Sequence, residues 1–78
     1  MRLYFIRIKC ELGQSYDVAS RIAELEIASE IHSTAGAFDL LVKLYIEDDE
    51  DVGQFVNRHI HSVGGIRDTE TLVTFRAF

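Results

Sequence analysis

The order in which hydrophobic periodicities follow one another along the chain limits its fold more than any other feature. Residues 2–10 repeat with a period of two and are rich in aromatic and β-branched residues, which is typical of a β-strand. Similar patterns predict strands over residues 29–35, 38–46 and 66–77, and helical spacing predicts one helix of about three turns from Ser15 and another over residues 52–63. The order strand, helix, strand, strand, helix, strand predicts an α+β fold of the ferredoxin-like βαββαβ type, a four-stranded antiparallel sheet with both helices on one face.

Polar residues and glycines predict where these elements begin and end. Ser15 is a candidate N-cap of the first helix, and the acidic run at residues 47–51 predicts an aspartate N-cap and an acidic first turn for the second. Gly36-Ala37 predicts a tight reversal between two strands, which would form an antiparallel hairpin. The strand after this reversal places Phe38 on the same face as the apolar residues of even number that follow it.

The size of the chain and its single cysteine indicate that association contributes to its stability. A chain of 78 residues forms one domain, here residues 1–78, and buries a smaller fraction of its surface than a larger domain does. Cys10 is the only cysteine, so no disulfide forms within the chain. The sheet face without helices carries large apolar residues, the candidates being Leu3, Phe5, Leu41 and Tyr45. Because a soluble monomer rarely exposes such a patch, we expect a second copy to cover it by two-fold symmetry.

The charge pattern and the short apolar runs argue against nucleic-acid and membrane partners. The chain carries 13 acidic and 8 basic residues, a net charge of −5, and its basic residues are scattered without a cluster. Direct nucleic-acid binding needs patches that neutralise phosphates. The apolar runs are too short to span a bilayer, and the N-terminus does not have the pattern of a signal peptide. Together with the absence of paired cysteines, these features predict a cytoplasmic protein.

The residues that could carry enzymatic or metal chemistry are few and poorly spaced. His59 and His61 point to different sides of a predicted helix, His59 towards the core edge and His61 into solvent, and His32 lies on a strand, so no metal site is expected. The acidic run lacks the spacing of a calcium loop. Cys10 lies in an apolar strand, where a thiol is usually buried. We therefore predict no catalytic residues and no cofactor; a small dimeric ferredoxin-like enzyme with an intramolecular cleft is the alternative.

Two short polar clusters at strand ends are the candidates for a binding site. They supply the candidate ligand-binding residues Gly36, Ala37, Phe38, Asp39, Thr69 and Thr71. The N–H groups of the turn and the threonine hydroxyls can bind the carboxylate of an amino acid, and the Asp39 carboxylate can bind its ammonium group. On this interpretation Asp39→Ala would abolish binding and leave the fold intact. The residue types alone favour, by a small margin, the alternative in which Asp39 bonds its own turn and the threonines are ordinary strand residues.

The same two stretches resemble the effector domain of the Lrp/AsnC (leucine-responsive and asparagine-responsive) transcription regulators. The resemblance rests on residues 36–43 and 63–73, in the expected order and spacing, and covers essentially the whole chain. It implies a RAM domain (for regulation of amino-acid metabolism), an αβ-sandwich that dimerises through its sheets, with dimers assembled into rings and amino-acid effectors between dimers. It also implies that the effector lies near Gly36, Phe38, Asp39, Thr69 and Thr71.

The resemblance further implies a role. Members of the family usually carry an N-terminal helix-turn-helix domain, whereas this chain begins at its first strand, so we expect a stand-alone effector module. The leading hypothesis is a non-enzymatic, amino-acid-binding module that modulates transcription through ligand-dependent assembly, with itself or with full-length regulators. An oligomerisation module whose ligand site has decayed is a further alternative.

Overall fold

The computed structural model describes all of residues 1–78 and confirms the βαββαβ order. The elements are β1 (Arg2–Cys10), α1 (Ser15–Glu24), β2 (Ala28–Ser33), β3 (Leu40–Ile46), α2 (Val52–Phe55) and β4 (Ile66–Val73), and α2 continues directly into a π-helical segment, Val56–Ile60. The four strands form one antiparallel sheet in the order β2-β3-β1-β4. No helix is both long and apolar enough to span a membrane.

The core lies between one face of the sheet and the helices. Its buried residues are all apolar: Tyr4, Ile6, Ile8, Cys10, Val18, Ile22, Leu40, Val42, Leu44, Ile46, Val56 and Ile60. β1 and β3 contribute every second residue, as the predicted alternation requires, and α1 contributes Val18 and Ile22, one helical turn apart. Each fully buried Val, Leu or Ile side chain contributes about 1.5–3 kcal/mol relative to its exposed state, so this one layer is the main source of the protomer's stability.

The opposite face of the sheet is covered by no element of the chain, and we call it the open face. Its predicted residues are confirmed: Leu3, Phe5 and Leu41 are half-buried in the sheet surface, and Tyr45 is 45% exposed. Leu72 of β4 pairs with Phe5 in the ladder, is 37% exposed and extends the same apolar stripe. The chain therefore presents large apolar side chains across adjacent strands, which is unusual for an isolated domain.

Two ion pairs lie on the open face, and one of them includes Lys43, which stands opposite Phe5. Arg7 Nη1 lies 2.9 Å from Glu70 Oε1, and Lys43 Nζ lies 3.2 Å from Glu30 Oε2. Hydrogen bonds from His32 and then from Lys43 lower the pKa of Glu30, so this carboxylate stays ionised at neutral pH. Because these pairs are exposed, they add little to the stability of the protomer.

The structure corrects several predicted boundaries. Ser15 is not an N-cap, since Gln14 occupies the cap position of α1 and gives no side-chain hydrogen bond. The aspartate cap of α2 is confirmed as Asp51, whose Oδ1 accepts from Gly53 N at 2.8 Å, but the acidic run precedes the helix and its first turn holds no acidic residue. β4 ends at Val73 rather than at residue 77, because it is an edge strand and its only neighbour, β1, begins near that level of the sheet.

The second helix and the β2–β3 connection also differ from prediction. Apolar spacing predicts a regular helix through residue 63, whereas α2 gives way to the π-helical segment, after which His61 N donates to Val56 O at 2.9 Å. The tight reversal predicted at Gly36-Ala37 is a longer loop over residues 34–39. Phe38 lies in this loop, where strand alternation does not apply, so it is half-buried and does not join the core.

Gly65 lets the chain pass close to α1 before β4 begins. Its φ is +90°, and an added Cβ would lie 3.1 Å from Val18 Cγ2, whereas Gly13 has a φ of +78° and open space around it. We expect Gly13→Ala to lower the free energy of unfolding by about 1 kcal/mol through backbone strain alone, and Gly65→Ala by about 2–3 kcal/mol, because strain and the clash add. Urea unfolding of both variants measures the difference. Equal losses would show that the contact with Val18 is relieved without cost.

Candidate functional site

The loop between β2 and β3, residues 34–39, carries four of the six predicted binding residues and is closed by its own hydrogen bonds. Thr34 N donates to Asp39 O at 2.9 Å, and Thr34 Oγ1 donates to Phe38 O at 2.8 Å. Gly36, at the tip, has a φ of +104°, a conformation that favours glycine. The sequence thus folds locally into a loop whose two ends are tied together.

Asp39 joins this loop to β1. Its Oδ2 accepts a hydrogen bond from Cys10 N at 2.8 Å, and its own N donates to Ile8 O at 2.8 Å. The side chain therefore does not bond its own turn, and the other carboxylate oxygen, Oδ1, has no protein donor. Burial, and then the charge of Asp39, raises the pKa of the Cys10 thiol, so this buried cysteine stays protonated at neutral pH and is a poor nucleophile.

A first recess lies beside the loop, at the edge of the open face. It has a volume of about 230 Å³, and the residues that line it include Arg7, Thr34, Ala37, Phe38 and Leu41. Arg7 Cζ stands 4.1 Å from the centroid of the Phe38 ring, a cation–π contact, while its Nη1 bonds Glu70. Arg7 is thus held from two sides and brings a guanidinium group to a mainly apolar recess. Arg7 was not among the predicted site residues; the available signal was a cation that follows Leu3 and Phe5 on one face of β1.

A second recess, of about 340 Å³, lies between the end of the π-helical segment and β4. It is lined by His61, Ile66, Arg67, Asp68 and Thr69. Thr69 Oγ1 lies 2.7 Å from His61 Nε2, and His61 Nδ1 lies 2.7 Å from Asn57 Oδ1. His61 is exposed, as predicted, but both of its ring nitrogens are bonded within the chain, and this contact was not foreseen.

Three of the six predicted site residues line these recesses; Gly36 and Asp39 belong to the loop but line neither recess. Ala37 and Phe38 line the first recess and Thr69 lines the second, and β1 lies between β3 and β4 in the sheet. Thr69 pairs with the core residue Ile8, so it is on the helix side of β4, whereas the first recess is at the open face. Thr71 lies two residues further along β4 and lines neither recess. One protomer therefore does not bring the six residues around a common cavity.

The other side chains with chemical potential do not cluster. No group of three or more His, Cys, Asp and Glu residues lies close enough to hold a metal ion. His32 Nε2 bonds Glu30 Oε1 at 2.8 Å on β2, and the His59 ring packs 4.5 Å from that of Phe55, at the core edge. A third recess lies at the opposite end of the sheet, and none of the three is lined by His32 or His59.

Comparison with known proteins identifies one family. The family model described as the Lrp/AsnC ligand binding domain matches residues 3–78. The HTH-type transcriptional regulator FL11 of Pyrococcus abyssi is 31% identical over 74 residues, which are 95% of this chain and 48% of that protein. The chain thus spans about half the length of the curated relatives it matches.

Solved structures share the fold. The crystal structure of TTHA0845 from Thermus thermophilus matches with a TM-score of 0.88 at 32% identity, over 100% of this chain and 98% of that one. The feast or famine regulatory protein Rv3291c from M. tuberculosis, solved in complex with L-methionine, matches with a TM-score of 0.79 at 19% identity, over 100% of this chain and 52% of that one. The fold predicted from hydrophobic periodicity therefore also occurs in solved structures.

Proposed function

This chain belongs to the family of Lrp/AsnC ligand binding domains, and from that premise we propose that it is a non-enzymatic module that binds an amino acid and acts on transcription through its state of assembly. The observation that carries the proposal is that Ala37 and Phe38 line one recess and Thr69 lines another, on opposite faces of one sheet. The filled core and the absence of His32 and His59 from every recess weigh against the alternative, an enzyme with an intramolecular cleft.

The first step of the proposed assembly is a homodimer formed through the open face. The apolar stripe of this face is continuous across β3, β1 and β4 and has no covering element. A domain of 78 residues has a small core, so burial of this stripe against a second copy adds stability that one protomer lacks. A two-fold axis lets the same surface cover itself. Such a dimer also brings the first recess, at the edge of the face, close to the partner.

The second step is the joining of dimers by the ligand into a ring-like oligomer. An amino acid needs donors for its carboxylate and acceptors for its ammonium group; Arg7 and Arg67 offer the first, and Asp39 Oδ1 offers the second. Because the two recesses of one protomer lie on opposite faces, a ligand that uses both motifs must touch two protomers. The proposed contacts are Gly36, Ala37, Phe38 and Asp39 from one copy and Thr69 and Thr71 from another. A ligand that bridges copies stabilises the larger assembly.

A thermal-shift screen of the amino acids tests this proposal, with L-methionine as the first probe because Rv3291c was solved with it. A ligand present at 100 times its Kd stabilises the folded state by about 2.7 kcal/mol. For a domain of this size, that corresponds to a rise in Tm of about 10–20 °C. The solution mass of the protein, measured with and without the amino acid that gives the rise, is expected to increase.

Two outcomes would contradict this proposal. If no amino acid raises the Tm over a wide range of concentrations, the module does not sense amino acids. If the Tm rises while the solution mass stays constant, the ligand binds within one assembly and does not join dimers. Co-assembly with a full-length regulator of the family is proposed on the same surfaces, and mixed oligomers in native mass spectrometry would reveal it.

A further inference from the structure

His61 is held between Asn57 and Thr69 in a way that decides how the Thr69 hydroxyl is oriented. Asn57 is placed with its amide oxygen Oδ1 towards His61 Nδ1, at 2.7 Å; an amide oxygen only accepts, so in this arrangement Nδ1 carries the proton. A neutral imidazole has one N–H only, and Nε2 is therefore left with a lone pair. The bond between Nε2 and Thr69 Oγ1, also 2.7 Å long, must then be donated by the threonine hydroxyl.

This orientation reverses the role predicted for Thr69. With its proton directed at His61, the hydroxyl presents only lone pairs to the second recess. It can accept a hydrogen bond from an ammonium or amide group, but it has no proton to give to a carboxylate. The two hydrogen bonds that link Asn57, His61 and Thr69 thus determine which end of an amino acid this part of the recess prefers.

Protonation of His61 inverts the arrangement. Both ring nitrogens then donate, so Thr69 Oγ1 must accept from Nε2 and its own proton turns towards the recess. A carboxylate in the recess gains a donor and a nearby positive charge together, and both changes favour it.

The other charged groups around His61 act in both directions: the Arg67 guanidinium disfavours a second positive charge in the recess, whereas the Asp68 carboxylate favours it. Arg67 lines the same recess from β4, and Asp68, also on β4, has one oxygen occupied by Thr69 N at 2.9 Å. On the side of α1, the Arg21 guanidinium lies against Gly64 and Gly65. On the helix that carries His61, Arg58 is paired with Glu50.

We propose that His61 is a positioning residue that couples carboxylate binding beside Thr69 to the uptake of a proton. The ligand class is a carboxylate when His61 is charged, and an ammonium or amide donor when it is neutral. The ligand part rests on the proposed function, whereas the orientation of the hydroxyl does not depend on it.

The orientation is tested on the ligand-free protein by nitrogen-15 NMR of its labelled histidines. At about pH 8 we expect His61 to carry its proton on Nδ1 and to show an unprotonated Nε2. Asn57→Leu, a change at an exposed position, removes the acceptor and is expected to abolish the preference. A spectrum of the unaltered chain with the proton on Nε2, or with an equal mixture of tautomers, overturns the proposal whether or not any amino acid binds.

The coupling is tested by calorimetry with L-methionine in buffers of different ionisation enthalpy. We expect the unaltered chain to take up at most about half a proton per ligand and to bind about tenfold more tightly at low than at high pH. His61→Gln is expected to lose both effects, while His32→Gln, the control at an exposed histidine outside the recess, is expected to keep them. Methionine binding without proton uptake overturns the proposal. If no amino acid binds, the proposed function fails, and the tautomer spectrum alone decides the present proposal.

Discussion

Phe5→Asp is expected to leave the protein a folded monomer at concentrations where the unaltered chain forms the proposed dimer. Phe5 lies on the open face between Lys43 of β3 and Leu72 of β4. In the monomer a carboxylate at this position stays in contact with water beside the Lys43 ammonium group, so the fold tolerates it. In a face-to-face dimer each copy would bury such a carboxylate, and a poorly paired buried ion costs several kcal/mol. We therefore expect the dimer Kd to rise by about a thousandfold or more.

Sedimentation velocity over a dilution series measures this change, and circular dichroism checks that the sheet is retained. Leu12→Asp is the matched control, because it makes the same exchange of an apolar side chain for a carboxylate at a residue that is 95% exposed in the turn after β1. The control is expected to remain a dimer. A Phe5→Asp protein that dimerises with unchanged affinity would mean that the copies meet at some other surface.

The fold could be predicted because each buried face is visible in the local sequence. β1 occupies residues 2–10, as predicted, and it is paired on both sides, so its neighbours define its full length. The edge strands were predicted less well. β2 begins one residue earlier and ends two residues earlier than the predicted 29–35, and β4 ends at Val73. An edge strand has one neighbour only, and where its pairing stops depends on that neighbour more than on its own residues.

The second helix shows where periodicity stops being informative. Its apolar residues recur at spacings that fit a helix of any length up to residue 63, and nothing in them marks the wider turn at which His61 N reaches Val56 O. His61, whose ring reaches Thr69, follows directly after the π-helical segment. The sequence pattern therefore gives no sign of the local irregularity beside which this contact forms.

The candidate site could be predicted only as two separate motifs, because its contacts join residues that are far apart in the sequence. The bond from Cys10 N to Asp39 depends on the register of β3 against β1, and the stacking of Arg7 on Phe38 depends on the shape of the loop. Neither contact can be predicted from the residue types alone. The faces to which the motifs belong are likewise set by the pairing of β4, which places Thr69 opposite Ile8.

Asp39→Asn is expected to abolish amino-acid binding with little change in stability, whereas Asp39→Ala is expected to reduce both. Asn retains an oxygen that can accept from Cys10 N, now 2.8 Å from Oδ2, but it lacks the charge proposed to hold the ligand ammonium group. Ala leaves that partly buried N–H without a partner, which lowers the free energy of unfolding by about 1–3 kcal/mol. The sequence led us to expect that Asp39→Ala spares the fold. Because of the bond from Cys10 N, we now expect this variant to be less stable.

The two variants separate the structural oxygen of Asp39 from the proposed binding charge. Thermal unfolding is expected to show a fall in Tm of at least about 4 °C for Asp39→Ala and a value near that of the unaltered chain for Asp39→Asn. Calorimetry with an amino acid that stabilises the unaltered chain is expected to show no binding to Asp39→Asn. If that variant binds normally, Asp39 acts only as a tether between the loop and β1. If both variants are as stable as the unaltered chain, the tether itself contributes nothing, and water satisfies Cys10 N in its place.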